Sequence, residues 1–272
     1  MNVCAYCGGS QKLTREHLVP AWYVKRYPKG EADAFIERAR KAGSKLDMRI
    51  GDVCEQCNNN HLSELDGYAK SIYIASFSSA LRAGERLTLS YDFTKLAKWV
   101  IKVSYNVARA NRSEATILSQ YAQLVISDAP LPIGVRLFCE AIGPAVPDEL
   151  GLPRVAFPRE EEGLIEPEGF RVGRLILANH SDFRWCLRRL TLDGFEFRLV
   201  LPDRKQRIVD KDLGSFVDEL RERKILRNEF TRNGVACIEP PIMDSVTLSL
   251  GHERQFPVHY GVEKRDFFRK LI

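Results

Sequence analysis

Four of the seven cysteines in this chain fall into two Cys-x-x-Cys pairs, Cys4/Cys7 and Cys54/Cys57. Each pair offers two sulfurs at a fixed bite, and two pairs supply the four thiolates that a tetrahedral zinc ion takes. A redox dithiol is the other use of this spacing, but it needs one pair and usually opens a helix in a thioredoxin-like βαβ setting. Two pairs within one short stretch favour structural zinc. A four-cysteine zinc is coordinatively closed, so it folds the segment and cannot itself activate water. Any catalysis must then come from the residues between and just after the pairs. They read Leu13-Thr14-Arg15-Glu16-His17-Leu18-Val19-Pro20 and, from the second pair on, Asn58-Asn59-Asn60-His61-Leu62-Ser63-Glu64-Leu65-Asp66. An imidazole is the side chain best suited to take a proton from water near neutral pH. Carboxylate and amide oxygens suit a hard cation such as Mg²⁺ or Mn²⁺ better than zinc.

An acidic residue followed by His, two apolar residues and Pro, set between Cys-x-x-Cys pairs with Asn directly after the last Cys, resembles the HNH superfamily of ββα-metal nucleases. The nearest subtype carries paired zinc knuckles, Glu-His-x-x-Pro, and Cys-Asn followed by Leu-Ser-x-Leu-Glu/Asp. The resemblance covers residues 4–66, and its four elements occur in the family's order. It implies that His17 is the general base, that Glu16 and Asn58 ligate a catalytic Mg²⁺ or Mn²⁺, and that the four cysteines hold a structural zinc. His61, three residues after Asn58 and so on the same helix face, is a candidate third ligand, although the family's usual position falls at Leu62. The family's middle Asn, which orients the base, has no clear counterpart; Asp52 or a backbone carbonyl are the alternatives. Asp66 matches a recurrent acidic position that would support the hairpin or the metal's water shell. Each residue also has a plainer reading. A lone His is more often structural, and Asn58 is a favoured helix N-cap. His180, His252 and His259 stand alone and read as surface or core residues.

These side chains need elements to carry them. Leu13–Val19 and Asp47–Val53 read as two strands flanking a helix at Glu31–Ala42, with Gly43-Ser44 as punctuation. A helical pattern runs from Cys57 toward Arg82, with Gly67 a possible interruption and Gly84 a stop. Asp92 reads as the N-cap of a clearer helix to Asn111, with Leu96, Trp99, Val100, Val103 and Val107 as its buried stripe. Lys95, Lys98, Lys102 and Arg109 form a second stripe about 120° away, either a phosphate-tracking face or a solvated one. Arg221, Arg223, Lys224 and Arg227, and Lys264, Arg265, Arg269 and Lys270, are further basic clusters. A helix at Glu114–Ile126 precedes strands at Val135–Cys139, Phe170–Ala178, Phe183–Leu190 and Phe195–Val200, with a turn at Leu192-Asp193-Gly194. A helix at Ser215–Leu226 and short terminal strands follow. The expected fold is α+β: an N-terminal zinc-stabilised ββα-metal nuclease module (1–66), a helical middle (67–128), and a β-rich C-terminal region (129–272).

Composition sets the outer limits. With 272 residues, 44% of them apolar and 28% charged, the chain can bury a core and has the balance of a globular protein rather than a disordered or membrane one. No apolar run reaches the ~18 residues of a membrane span, and no secretory signal is visible, so a cytoplasmic location without membrane contact is expected. An odd cysteine count argues against a disulfide framework, and Cys139, Cys186 and Cys237 read as core thiols. A net charge of +5 is compatible with a polyanion but does not demand one. The sequence thus predicts a metal-dependent HNH endonuclease hydrolysing DNA, with RNA as a second substrate class. Free-standing members of this build imply a role in defence against phage, with or without a protein partner. The rivals are an inactive zinc-ribbon nucleic-acid binder and a subunit that cuts only when a partner is bound.

Overall fold

The computed structural model describes residues 3–26, 49–110, 115–144, 160–161, 164–165, 167, 169–174, 184–206, 210–241 and 243–244. In chain order its elements begin with strand β1 (Leu13–His17), helix α1 (Ala21–Val24) and strand β2 (Arg49–Cys54). A continuous helical run follows: a π turn at Cys57–Leu62, helix α2 (Ser63–Ile72) and a second π turn at Tyr73–Phe77. Next come strand β3 (Leu87–Ser90), helix α3 (Phe93–Ala110), and short helices α4 (Ala115–Ser119) and α5 (Ala122–Val125). Strands β4 (Arg136–Gly143), β5 (Glu160–Glu161), β6 (Leu164–Ile165), β7 (Phe170–Arg174), β8 (Trp185–Leu192) and β9 (Phe195–Pro202) precede helix α6 (Asp210–Glu222). Strands β10 (Glu229–Phe230), β11 (Val235–Ile238) and β12 (Met243–Asp244) finish the described chain. The protein is α+β, with the cysteine cluster at its N-terminal end. The predicted helix at Glu31–Ala42, the Lys264–Lys270 cluster, and His180, His252 and His259 lie outside the described residues.

Helix α3 is the spine. Asp92 caps it as the sequence predicts, its Oδ1 accepting the Lys95 amide at 3.0 Å. From Phe93 to Ala108 nearly every residue is buried, because α3 packs between the N-terminal hairpin and the large sheet. A helix with so little exposed face is an interior element rather than a surface one.

The sheet runs β10-β4-β9-β8-β7, all antiparallel, with β12 pairing parallel to β4 beyond β10. Both of its faces are covered. Phe195, Phe197, Leu199 and Leu201 point with Leu190, Leu192 and Leu137 into the large core that includes Trp99 and Phe77. On the other face Phe138, Trp185, Leu187 and Val200 pack under Leu213, Phe216, Val217 and Leu220 of α6, with Trp185 stacked on Phe216. The remainder of that face is charged: Arg198 bridges Glu196 (2.8 Å) and Glu140 (2.5 Å).

Several expectations change at the edges. The run after Cys57 stops at Phe77 rather than near Arg82, and Gly67 sits inside α2 without breaking it. The single helix at Glu114–Ile126 is two short ones separated at Gln120-Tyr121. The helix expected at Ser215–Leu226 starts earlier, at Asp210, and ends at Glu222. Strand β3, within the nominal helical middle, pairs with β11 near the chain's end (Leu87↔Ile238 to Ser90↔Val235). Cys139 and Cys186 are buried, but Cys237 is exposed, because strand alternation sends Ala236 and Ile238 inward instead. One continuous core holds Cys4, Leu65, Tyr121 and Ile238, so it draws on all three predicted segments.

The Leu192-Asp193-Gly194 turn does more than reverse β8 into β9. Asp193 adopts φ +48°, and a Cβ on Gly194 would lie 2.9 Å from the Ala80 backbone. In that position the buried Asp193 carboxylate accepts from Tyr23 Oη (2.6 Å), Tyr73 Oη (2.7 Å), the Gly169 amide (3.0 Å) and Arg26 Nη1. It ties α1, the second π turn and the sheet together. Asp193→Ala removes the one acceptor these donors share and is expected to cost about 3 kcal/mol. Urea unfolding checks this: a loss under 1 kcal/mol would show the hub to be dispensable.

Candidate functional site

The four cysteines converge. Their sulfurs all lie within 4.8 Å of one another, and among the described residues no other group of His, Cys, Asp and Glu closes up this way. Sulfurs bound to one tetrahedral zinc at ~2.3 Å stand about 3.8 Å apart. The Cys7–Cys54 Sγ separation is 3.7 Å, so the donors and their spacing fit zinc. The first pair is shaped by a tight turn in which Gly8 takes φ +73° and its amide donates to the Cys4 carbonyl at 2.9 Å. Backbone amides of Gly9 and Cys54 donate to Cys7 Sγ (3.4 Å) and Cys4 Sγ (3.3 Å). Burial raises the Cys4 thiol, but amide hydrogen bonds outweigh it and bring its pKa down to about 7. Burial, then the neighbouring sulfurs, pushes the Cys57 thiol upward.

The segment between the pairs forms the β1–β2 hairpin. Its register runs Leu13↔Cys54 and Thr14↔Val53, then shifts to Glu16↔Ile50 and His17↔Arg49. The extra residue therefore lies in β2, where Gly51 and Asp52 together face Arg15. Because β1 itself keeps its alternation, Glu16 and His17 point to opposite sides. Glu16 goes inward, 4% exposed, and His17 stays half-buried. Burial, then the charge of Arg49, lowers the His17 pKa below its usual 6.5, which keeps the imidazole neutral near neutral pH.

Inward, Glu16 meets α3. Its Oε1 lies 2.5 Å from Lys102 Nζ and 3.3 Å from Asn106 Nδ2. Lys102 Nζ also donates to both Asp66 oxygens at 2.9 Å, and Trp99 Nε1 reaches Asp66 Oδ1 at 3.1 Å. Lys102 is 0% exposed. Desolvation alone would lower its pKa, but the Asp66 and Glu16 charges prevail and raise it, so the ammonium stays charged. Asn106 continues the row, donating to the His17 carbonyl at 3.3 Å and accepting from Tyr6 Oη at 2.7 Å. Arg109 ends it with a bidentate pair to Asp52 (2.9 and 3.2 Å) and a stack over Tyr105.

This overturns the reading of the basic stripe. Lys102 and Arg109 are internal partners of the hairpin, and Lys98 donates to the Ser127 carbonyl. Of the four, Lys95 alone stands well exposed, bonded to Glu64. The stripe is an interface, neither a solvated face nor a phosphate track. In the second cluster Arg221, Arg223 and Arg227 are ion-paired, with Asp218, Glu219, Glu229 and Glu239. Asp52, engaged by Arg109 and out of register with His17, does not orient the imidazole.

Asn58, directly after the last cysteine, reaches back to β1. Its Nδ2 donates to Thr14 Oγ1 at 2.9 Å and to the Arg15 carbonyl at 3.2 Å. Both bonds use the amide nitrogen, which leaves Oδ1 free to accept or ligate. His61 is not brought to this group. It is exposed and lines a groove with Glu64, Asp92, Lys95 and Lys98. The cause is local: Cys57–Leu62 is a π turn, wider than an α turn, so a residue three positions on falls well short of the same face.

Lys102, Asn106 and Trp99 are the supporting residues that sequence reasoning missed. A lysine flanked by Ile101 and Val103 on a strongly apolar helix was the available signal. No protein-family model, curated protein or solved structure matches this chain.

Metal analysis of the purified chain is expected to find one zinc. Cys54→Ser should abolish it and unfold the hairpin, whereas His17→Ala should leave both zinc content and melting unchanged. Equal destabilisation by the two substitutions would contradict a scaffold separate from the Glu16-His17 pair.

Proposed function

We propose that the chain is an HNH-type, metal-dependent endonuclease hydrolysing phosphodiester bonds, with DNA as substrate and His17 as general base. The observation that carries this reading is the bonding of Asn58 to the very strand that bears Glu16 and His17. It fixes the amide so that Oδ1 is its unused oxygen, while the two contacts of Glu16 both engage Oε1 and leave Oε2. A carboxylate and an amide oxygen are hard donors of the kind Mg²⁺ and Mn²⁺ prefer. A cation held there would stabilise charge on the phosphate and the leaving oxygen. His17, half-buried with a lowered pKa, has the protonation state a base needs. The four-cysteine site supports the hairpin and takes no part in the chemistry. Defence against invading DNA is the biological setting this build implies.

A second reading has its own observation. Glu16 is buried in an internal ion pair, as a purely structural carboxylate would be. That suits a zinc-stabilised nucleic-acid binder without catalysis.

Supercoiled plasmid and a labelled oligoribonucleotide, each with Mg²⁺ or Mn²⁺, separate the two readings. Wild type is expected to nick or cut the plasmid, with His17→Ala and Asn58→Ala slower by about 10²-fold or more. Equal cutting by all three proteins would sink the nuclease assignment, and binding without cutting by wild type would favour the second reading. Faster cleavage of the RNA would reassign the substrate.

A further inference from the structure

We propose that Lys102 is a positioning residue of this site: a permanently buried ammonium that clamps Glu16 by one oxygen and presents the other to a divalent cation. The inference rests on the nuclease reading and adds a residue that lies 36 positions beyond the resembling segment (residues 4–66).

Three carboxylate oxygens surround Lys102 Nζ at 2.5–2.9 Å, one from Glu16 and two from Asp66. An ammonium has three N–H donors: two go to Asp66, and Glu16 is its closest ion-pair partner. With no exposed surface, Lys102 cannot touch a phosphate, which rules out a direct catalytic role. Its influence must pass through Glu16. The asymmetry of Glu16 is what makes that influence specific: Lys102 and Asn106 both hold Oε1. A carboxylate pinned at one oxygen by two donors on a rigid helix cannot swing, so the direction of Oε2 is set by α3. The same ammonium offsets one of two neighbouring carboxylates, leaving a single net negative charge. Asp66 then has a definite part: it completes the shell of Lys102 and, through Trp99 Nε1, is itself fixed. Supporting shells of this kind commonly govern metal affinity by 10–100-fold.

The test uses the full chain with its zinc, and reads Mn²⁺ binding by the electron paramagnetic resonance signal of free Mn²⁺. Removing Lys102 alone would strand the buried Glu16 carboxylate and the partly buried Asp66 carboxylate and endanger folding, so the variants are charge-balanced. Lys102→Met with Asp66→Asn is expected to weaken Mn²⁺ binding about 10-fold while zinc content stays at the wild-type level. Lys102→Gln with Asp66→Asn keeps a donor of similar reach toward Glu16, and is expected to recover most of that loss. If the methionine variant does not fold, the glutamine variant still decides: it must bind Mn²⁺ within a few-fold of wild type. Wild-type affinity in the methionine variant, or a full loss in a folded glutamine variant, overturns the proposal. Glu16→Gln in the wild-type background separates the two levels. If it weakens Mn²⁺ binding and the methionine variant does not, the positioning role fails alone. If wild type binds no Mn²⁺, or Glu16→Gln changes nothing, the metal site itself is wrong and this inference falls with it.

Discussion

A single ammonium between two carboxylates organises the N-terminal half of this protein. Burying one charge costs several kcal/mol, and burying two with a third partly covered is tolerable only when each finds its partner at close range. Lys102, Glu16 and Asp66 meet that condition, and meeting it constrains everything around them. The hairpin must lie on α3 in one register, the helix after the knuckle must bring Asp66 in, and α3 must stay straight and internal. Asn106 and Arg109 extend the constraint along the same helix face, to the His17 carbonyl and to Asp52. Apolar packing alone would accept many small shifts of hairpin against helix; a row of directed polar contacts accepts few.

The cysteine cluster and the Glu16-His17 strand are therefore held from different sides. The cysteine cluster grips its open end, where Cys54 closes β2 and Cys4 sits beneath it, and that grip is local in sequence to the two pairs. The polar row of α3 grips its inner face. His17 lies where neither grip reaches its side chain directly, half-buried opposite Arg49.

What the sequence revealed follows from how local each signal was. The cysteine pairs, the Asp92 cap, the strands around the Asp193-Gly194 turn and the apolar stripe of α3 all depend on residues within a few positions, and each is where the pattern placed it. The failures share the opposite property. Lys102 and Arg109 were read by their charge, yet their surroundings are made by residues 36 to 86 positions away. The pairing of β3 with β11 spans most of the chain and leaves no periodic trace. For His61 the reason is subtler: the three-residue spacing puts it on the Asn58 face only in an α turn, and the chain makes a π turn there. Cys237 looked buried by residue type, but the alternation of a two-stranded edge put it outside.

The long reach of these contacts also orders events on the ribosome. Synthesis delivers the second cysteine pair by residue 57, so the knuckles can close while most of the chain is unmade. The counter-charge for Glu16 arrives only with Lys102, and Tyr23, Arg26 and Tyr73 gain their shared acceptor only when Asp193 has emerged. A nascent chain thus carries a formed knuckle long before it carries a formed site. The Glu16-His17 strand becomes fully anchored late, once α3 and the sheet strands that it packs against have been made.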